Sequence, residues 1–137
     1  LYTSGTTGRP KGIIYTFGMA LANHVNIGTA IGLTAADRTP CFLPLFHTAG
    51  INLHALPTLL AGGTVVMLPG FDAGAVAELI DARAIDVLFG VPTVYQSLLD
   101  DGALERLPLH AIRHWGCGGA PLPDRIVQHS RELGARL

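Results

Sequence analysis

The order of apolar segments predicts an α/β fold, a layered and largely parallel sheet with helices on both faces, preceded by a hairpin. Three observations lead there. After the opening hairpin, strand-like and helix-like patterns alternate to the end of the chain. The strand-like runs Cys41-Phe42-Leu43-Pro44-Leu45, Thr64-Val65-Val66-Met67-Leu68 and Val87-Leu88-Phe89-Gly90-Val91 are apolar almost throughout, as strands covered on both faces must be. Gly, Pro and Asp punctuate the joins between them.

The elements follow in order. Leu1-Tyr2 reads as the tail of a strand, and Ile13 to Thr16 as its return strand. Thr16 is a cap for a helix over residues 17–33, whose Gly18, Ala20, Ala22 and Gly28 give it poor intrinsic propensity and suit close backbone packing. Asp37-Arg38 mark a polar turn before a buried strand over 39–45. A buried helix is expected over 51–60, with Pro57 kinking it or marking its true start. Gly62-Gly63 end it ahead of the strand at 64–68. Asp72 caps a helix over 73–84, with Val76, Leu79, Ile80 and Ala84 on one face. A strand over 86–91 leads through Pro92-Thr93 into a helix ending near Asp101. Residues 102–108 form a loop and 111–115 a short strand, and a last helix runs over 123–133 with Gly134 as its stop.

Composition narrows the function. The 137 residues suffice for one core. Only 14% are charged and the formal net charge is −1, so nothing electrostatic calls for nucleic acid or an anionic membrane. The mean hydropathy is positive, which fits buried strands or surfaces covered by more of the same polypeptide, and leaves room for a homo-oligomer. The longest apolar stretch, 49–61, is shorter than a membrane span and contains Asn52, His54 and Pro57. Cys41 and Cys117 lie far apart with no ligand-rich cluster near either, which suits a reducing cytoplasm. The first residue is not Met and no closing element follows the last helix, so the sequence reads as an internal piece of a longer polypeptide.

The chemistry concentrates in residues 1–12, LYTSGTTGRPKG. Gly5 and Gly8 let the backbone turn tightly, and successive N–H groups in such a turn make a concavity for an anion. Thr3, Ser4, Thr6 and Thr7 add short donors, and Lys11 adds a positive charge on a flexible stem. Together they read as a phosphate cradle. It is not the phosphate loop of nucleotide hydrolases, which needs Gly-Lys-Ser/Thr, because Pro10 precedes Lys11 and Gly12 follows it. Pro10 has no N–H, so the cradle is built from Ser4 to Gly8. The competing reading is a Ser/Thr/Gly-rich hairpin that meets only water.

Two further elements stand at expected strand ends, where ligands of parallel sheets bind. One is Phe46-His47-Thr48-Ala49-Gly50, whose imidazole can donate a hydrogen bond to a carboxylate or phosphate oxygen. Taken alone, such a histidine is more often structural. The other is Gly116-Cys117-Gly118-Gly119-Ala120-Pro121, where Gly118 and Gly119 let backbone approach a flat ligand; the alternative is a tight turn into a helix. Trp115 reads as core, Cys117 as packing, and Asp81, Asp86 and Asp100-Asp101 as solvated ends. His24, His54, His110, His114 and His129 show no metal spacing.

Tyr2-Thr3-Ser4-Gly5-Thr6-Thr7-Gly8-Arg9-Pro10-Lys11-Gly12 resembles the signature of the adenylate-forming (AMP-binding) superfamily, whose members include acyl-CoA synthetases, luciferases and adenylation domains of peptide synthetases. The 46–50 segment resembles its F-H-x-x-G element and 118–121 its G-G-A-P turn. The resemblance implies part of the large N-terminal domain of a two-domain acyl-CoA synthetase, with residues 1–16 as the phosphate-loop hairpin, 17–137 as an α/β subdomain and the C-terminal domain absent. It implies a ligase for a carboxylic acid, using ATP with Mg²⁺ and CoA as co-substrate, that makes an acyl-adenylate and then a thioester. Thr3 to Gly8 and Lys11 would hold the β- and γ-phosphates. His47 would close over the acyl pocket, and Gly118, Gly119, Ala120 and Pro121 would line the adenine and acyl pockets. Relatives that activate amino acids carry F-D-x-S, with an aspartate where this chain has His47; a buried ammonium without that counter-charge is costly, which favours a plain acid. The magnesium-binding glutamate, the ribose-binding aspartate and the C-terminal lysine of the family are expected beyond Leu137, so this segment alone is expected to be inactive. Alternatives are a non-catalytic nucleotide-binding scaffold and an adenylation domain that loads a carrier protein.

Overall fold

The computed structural model describes residues 1–3, 8–102 and 104–135, with the backbone alone for Thr3. The opening hairpin pairs β1 (Tyr2–Thr3) with β2 (Lys11–Gly12) antiparallel, Tyr2 opposite Gly12 and Thr3 opposite Lys11. A backbone bond of 2.8 Å from the Ile13 N–H to the Leu1 carbonyl closes the pair. The return strand is therefore Lys11–Gly12 and not 13–16. Ser4, Gly5, Thr6 and Thr7, four of the proposed cradle residues, lie outside the described residues.

The first helix, α1 (Phe17–Ile31), begins as its sequence asks: Thr16 Oγ1 accepts the Met19 N–H at 3.3 Å. Gly32 ends it in the left-handed region at φ +61. Ala20 is buried, and the helix packs on the segment 51–60. Its other side carries Phe17, Leu21 and Val25 at four-residue spacing, each more than half exposed.

The segment after His47 is one continuous helical run of three kinds: α2 (Thr48–Gly50), a π-helical stretch (Ile51–Ala55) and α3 (Leu56–Leu60). Pro57 explains the wide turn. In a π-helix each N–H bonds the carbonyl five residues back, as Leu56 does to Ile51. Pro57 has no N–H for Asn52, and Asn23 Nδ2 of α1 donates to that Asn52 carbonyl instead. The expected kink is thus absorbed by a π-turn and a side chain from the neighbouring helix.

Strand β3 (Arg38–Cys41) pairs in parallel with β4 (Thr64–Met67), Arg38 opposite Thr64 and Cys41 opposite Met67. Strand β5 (Val87–Gly90) pairs in parallel with β6 (His114–Cys117). β3 and β5 lie side by side, and the Asp86 N–H bonds the Arg38 carbonyl at 2.8 Å. The single layered sheet read from the sequence is therefore divided into short pairs. Asp37 and Cys41 offer their carbonyls to β4, so by alternation Arg38 and Pro40 face β5. Pro40 has no N–H to give, and the ladder stops there.

Helices α4 (Ala73–Asp81), α5 (Pro92–Asp100) and α6 (Asp124–Glu132) follow β4, β5 and β6. Asp72 caps α4 by accepting the Ala75 N–H at 2.7 Å, and α5 starts on Pro92 as its missing N–H allows. α4 ends three residues earlier than its apolar face suggests, and Arg83 turns the chain at φ +50. Val76 and Ile80 of α4, Val94, Tyr95 and Leu98 of α5, Trp115 of β6 and Ile126 of α6 meet in one core around Leu88. The stretch expected as a strand from 111 instead opens with a 3-10 turn (Leu109–Ala111), and β6 starts at His114.

Two ion pairs tie these pieces together, and both correct the sequence reading. Asp37 is buried; it accepts from Arg113 Nε at 2.6 Å and from the Thr34 N–H and hydroxyl at 2.6 and 3.0 Å. Arg113 also donates to the Ile31 and Gly32 carbonyls at the end of α1, where a cation is favoured. Arg38 grips Asp86 with two bonds, Nε to Oδ2 at 2.8 Å and Nη2 to Oδ1 at 3.0 Å. Asp37-Arg38 is therefore a junction rather than a polar turn, and Asp86 is not simply solvated.

Candidate functional site

The three stretches singled out above occupy different supports. Lys11 is exposed on the two-stranded hairpin, opposite Thr3, and Gly8 sits at φ +78, a conformation that favours glycine.

His47 is exposed at the start of the helical run, where Nδ1 accepts the Ala49 N–H at 3.1 Å. A ring nitrogen that accepts carries no hydrogen, so the imidazole proton lies on Nε2, leaving a donor for an oxyanion. Three residues on, Gly50 lies against the backbone of Pro44 and Leu43, and a Cβ there would stand 2.7 Å from the Leu43 carbonyl oxygen. Gly50 thus lets the helix start close behind the strand that delivers His47. Beside it opens a cavity of about 680 Å³ at the C-terminal ends of β3, β4 and β5, lined by Phe42, Leu45, Phe46, Met67, Phe71 and Val91 among others.

The turn after β6 is built by its neighbours. Tyr95 donates its phenol hydrogen to the Gly116 carbonyl at 2.5 Å, and the Gly118 N–H reaches the Gly90 carbonyl at 3.3 Å. The Phe89 ring covers both glycines: a Cβ on Gly116 would meet it at 3.1 Å and one on Gly118 at 3.2 Å. Gly119 follows at φ +84. Gly119, Ala120 and Pro121 face outward, so the turn presents main chain to whatever lies above it.

Sequence reasoning passed over His54. It lies seven residues after His47, is 92% buried, and stacks obliquely between Phe89, 5.1 Å away, and His114, 5.9 Å away. Burial first, then the neighbouring His114 and Arg113, lower its pKa from the ordinary 6.5 to about 4, so the ring is uncharged. No local pattern singles it out, because His54 lies in the π-helical stretch and its burial comes from Phe89 and His114, which are distant in sequence.

The structure therefore brings the Gly116–Pro121 turn together with Phe89, Val91 and His54, and sets Lys11 on a hairpin sheet of its own. Among the described residues no three His, Cys, Asp or Glu side chains converge as a metal site. No helix there is long and apolar enough to cross a membrane.

Parallel strands whose C-terminal ends carry a glycine turn, a histidine-capped helix and an open cavity define a ligand-binding domain of the α/β class. Residues 1–137 match the AMP-binding enzyme family, and the chain belongs to it. Over 134 residues it is 42% identical to a feruloyl-CoA synthase of Amycolatopsis sp, covering 98% of this chain and 27% of that one. It is 35% identical to the 2-succinylbenzoate–CoA ligase of Bacillus subtilis (strain 168), with the same shares covered. The fold matches ATP-bound MatB from Rhodopseudomonas palustris at a TM-score of 0.86 and 34% identity, over 96% of this chain and 26% of that one. It matches the o-succinylbenzoate CoA synthetase of Bacillus subtilis in complex with an acyl-adenylate at 0.85 and 36% identity, over 98% of this chain and 34% of that one. The chain spans about a quarter of the length of the curated relatives it matches.

Proposed function

We propose that this chain is part of the N-terminal domain of an ATP-dependent carboxylic acid:CoA ligase. The observation that carries the reading is the unbroken match to the AMP-binding enzyme family over residues 1–137, with hairpin, histidine and glycine turn in order. CoA ligases and synthases among its relatives, at 35–42% identity, support the acceptor, and the ATP-bound and acyl-adenylate-bound neighbours support the nucleotide and the intermediate.

In the first half-reaction a carboxylate oxygen of the acid attacks the α-phosphorus of ATP, and the bond to pyrophosphate breaks. The amides and hydroxyls of Thr3 to Gly8 and the Lys11 ammonium take up charge on the departing group. His47 donates Nε2–H to the carboxylate and holds it in line. The Gly118–Pro121 main chain receives the adenine and the near part of the acyl group. In the second half-reaction the CoA sulfur attacks the acyl carbon and AMP leaves. Mg²⁺ neutralises phosphate charge when bound, and its main protein ligand belongs outside these residues. The free thiols Cys41 and Cys117 suit a reducing compartment such as the cytoplasm.

The test uses the full-length chain. Acid-dependent exchange of labelled pyrophosphate into ATP, followed by loss of free CoA thiol, is the expected result with aryl or alkyl acids. ATP binding without exchange across such a panel would refute catalysis and leave the scaffold.

A further inference from the structure

The ring of His47 is exposed, and the Ala49 N–H orients it by donating to Nδ1 at 3.1 Å. That amide belongs to α2, a helix of three residues that runs directly into the π-helical stretch. Three residues make less than one turn, so α2 has no stability of its own. What holds the ring in place is whatever ties this first turn to the rest of the run.

Asn52 makes that tie. Its side chain is buried, and Nδ2 donates to Thr48 Oγ1 at 3.0 Å, reaching from the π-helical stretch back to the residue after His47. Its own carbonyl is the one that Pro57 leaves without an N–H, and Asn23 Nδ2 of α1 donates to it. Asn52 is thus anchored to α1 by its main chain and reaches the His47 turn with its side chain. The arrangement has a cost, because Asn52 Oδ1 is enclosed with no partner among the described residues. An enclosed amide with an open acceptor lowers stability, and an apolar side chain of similar shape would avoid that loss. What the amide supplies, and an apolar group could not, is the bond to Thr48.

We propose that Asn52 is a positioning residue for the acid half of the reaction, holding His47 through Thr48 so that Nε2–H is presented to the carboxylate. This role rests on the ligase reading and adds to it a residue that acts through His47 rather than on a substrate. With the Thr48 bond in place, the Ala49 N–H stays on Nδ1 and keeps the imidazole proton on Nε2. Without it the first turn frays, Nδ1 loses its donor, and the ring samples orientations and tautomers in which no N–H faces the acid.

The experiment measures pyrophosphate exchange by the full-length enzyme with benzoate, cinnamate, 4-hydroxycinnamate and the straight-chain acids from acetate to octanoate. The fastest acid is then followed in Thr48→Val, Thr48→Ser and Asn52→Leu, each made alone and in a His47→Ala background. Thr48→Val and Asn52→Leu should each lower kcat/KM for the acid by ~10-fold, as a misplaced reacting group does, with the KM for ATP changed by less than about threefold. Thr48→Ser keeps the hydroxyl and should stay near the wild type. In the His47→Ala background neither loss should exceed about twofold, because the ring they steady is gone. The urea midpoint of Asn52→Leu should not fall.

The same loss in the His47→Ala background, a Thr48→Ser variant as poor as Thr48→Val, or a midpoint that falls in step with activity overturns the proposal. Thr48 is exposed, so its variants decide even if Asn52→Leu fails to fold. No exchange by the wild type with any of these acids refutes the ligase reading itself, whereas exchange that the substitutions leave untouched refutes only the role of Asn52.

Discussion

Tyr95 and Gly116 are joined by a hydrogen bond of 2.5 Å from a phenol with no exposed surface to the carbonyl two residues before the Gly118-Gly119 pair. Burial pushes the Tyr95 pKa up, so the group stays a donor. The bond runs from α5 to the end of β6. It fixes where the glycine turn begins from a buried residue of the neighbouring helix.

Tyr95→Phe should therefore destabilise the protein by about 1–2 kcal/mol, since it leaves the Gly116 carbonyl unmet in a dry site. Urea unfolding of the full-length chain should show a lower midpoint at unchanged slope. An unchanged midpoint would mean that water replaces the phenol.

Gly50→Ala should be far more damaging. The added methyl meets main chain, the Pro44 carbonyl and the Leu43 oxygen, and neither can rotate away. A loss of about 3 kcal/mol or more, or failure to accumulate as folded protein, is expected. Gly70→Ala is the control, because nothing lies within 4 Å of its Cβ position. Equal effects of the two changes would contradict the packing described.

Acid should weaken the fold in two stages. His54 titrates near 4 when folded and near the ordinary 6.5 when unfolded, so the unfolded chain gains a proton first and stability falls as pH drops from about 6.5 to 4. His114, lowered by burial and by Arg113, adds to the same trend. Below about pH 4 a second loss begins. Hydrogen bonds from Arg38 hold the Asp86 carboxyl below its usual value, and Asp37 is also held low, where bonds from Arg113 and Thr34 outweigh an opposing burial effect. Protonating either breaks an ion pair. Urea midpoints at pH 7, 5 and 3.5 should fall at each step, and His54→Gln should flatten the first. A level profile between pH 7 and 5 would contradict the burial of His54.

Lys11→Ala and His47→Ala should separate the two ligands. Lys11→Ala is expected to slow single-turnover adenylation by about ten- to a thousandfold, the range for loss of a transition-state charge donor. His47→Ala should reduce use of the acid and leave ATP binding largely intact. Single-turnover rates and ATP titrations of both variants decide it. Adenylation untouched by Lys11→Ala would remove the lysine from the cradle.

Much of the fold was legible because its signals are local. Thr16 and Asp72 cap the helices they were expected to cap, Gly134 turns through positive φ where the last helix was expected to stop, and the 64–67 strand follows from its β-branched run, whereas Gly32, read as part of the first helix, is its C-cap. What was misread depends on partners distant in sequence. Asp37-Arg38 looked like no more than a polar turn because Arg113 and Asp86 lie 76 and 48 residues away. Pro57, read as a kink or as the true start of the helix, stands in the first turn of α3, but the π-turn before it could not be read because Asn23, which satisfies the carbonyl it leaves open, is on another helix.

The same division holds for the candidate site. Sequence alone determined the residue chemistry: the glycine and hydroxyl pattern with Lys11, the histidine at 47, the Gly118-Gly119 pair and, through them, the family. Tertiary structure decided which groups share a space. It set Phe89 over two glycines, enclosed His54 with a nitrogen that has no partner among the described residues, and left Lys11 on a separate hairpin. Backbone preferences and motif spacing are written within a few residues, whereas burial and the pairing of polar atoms depend on how distant segments pack, and no local pattern encodes that.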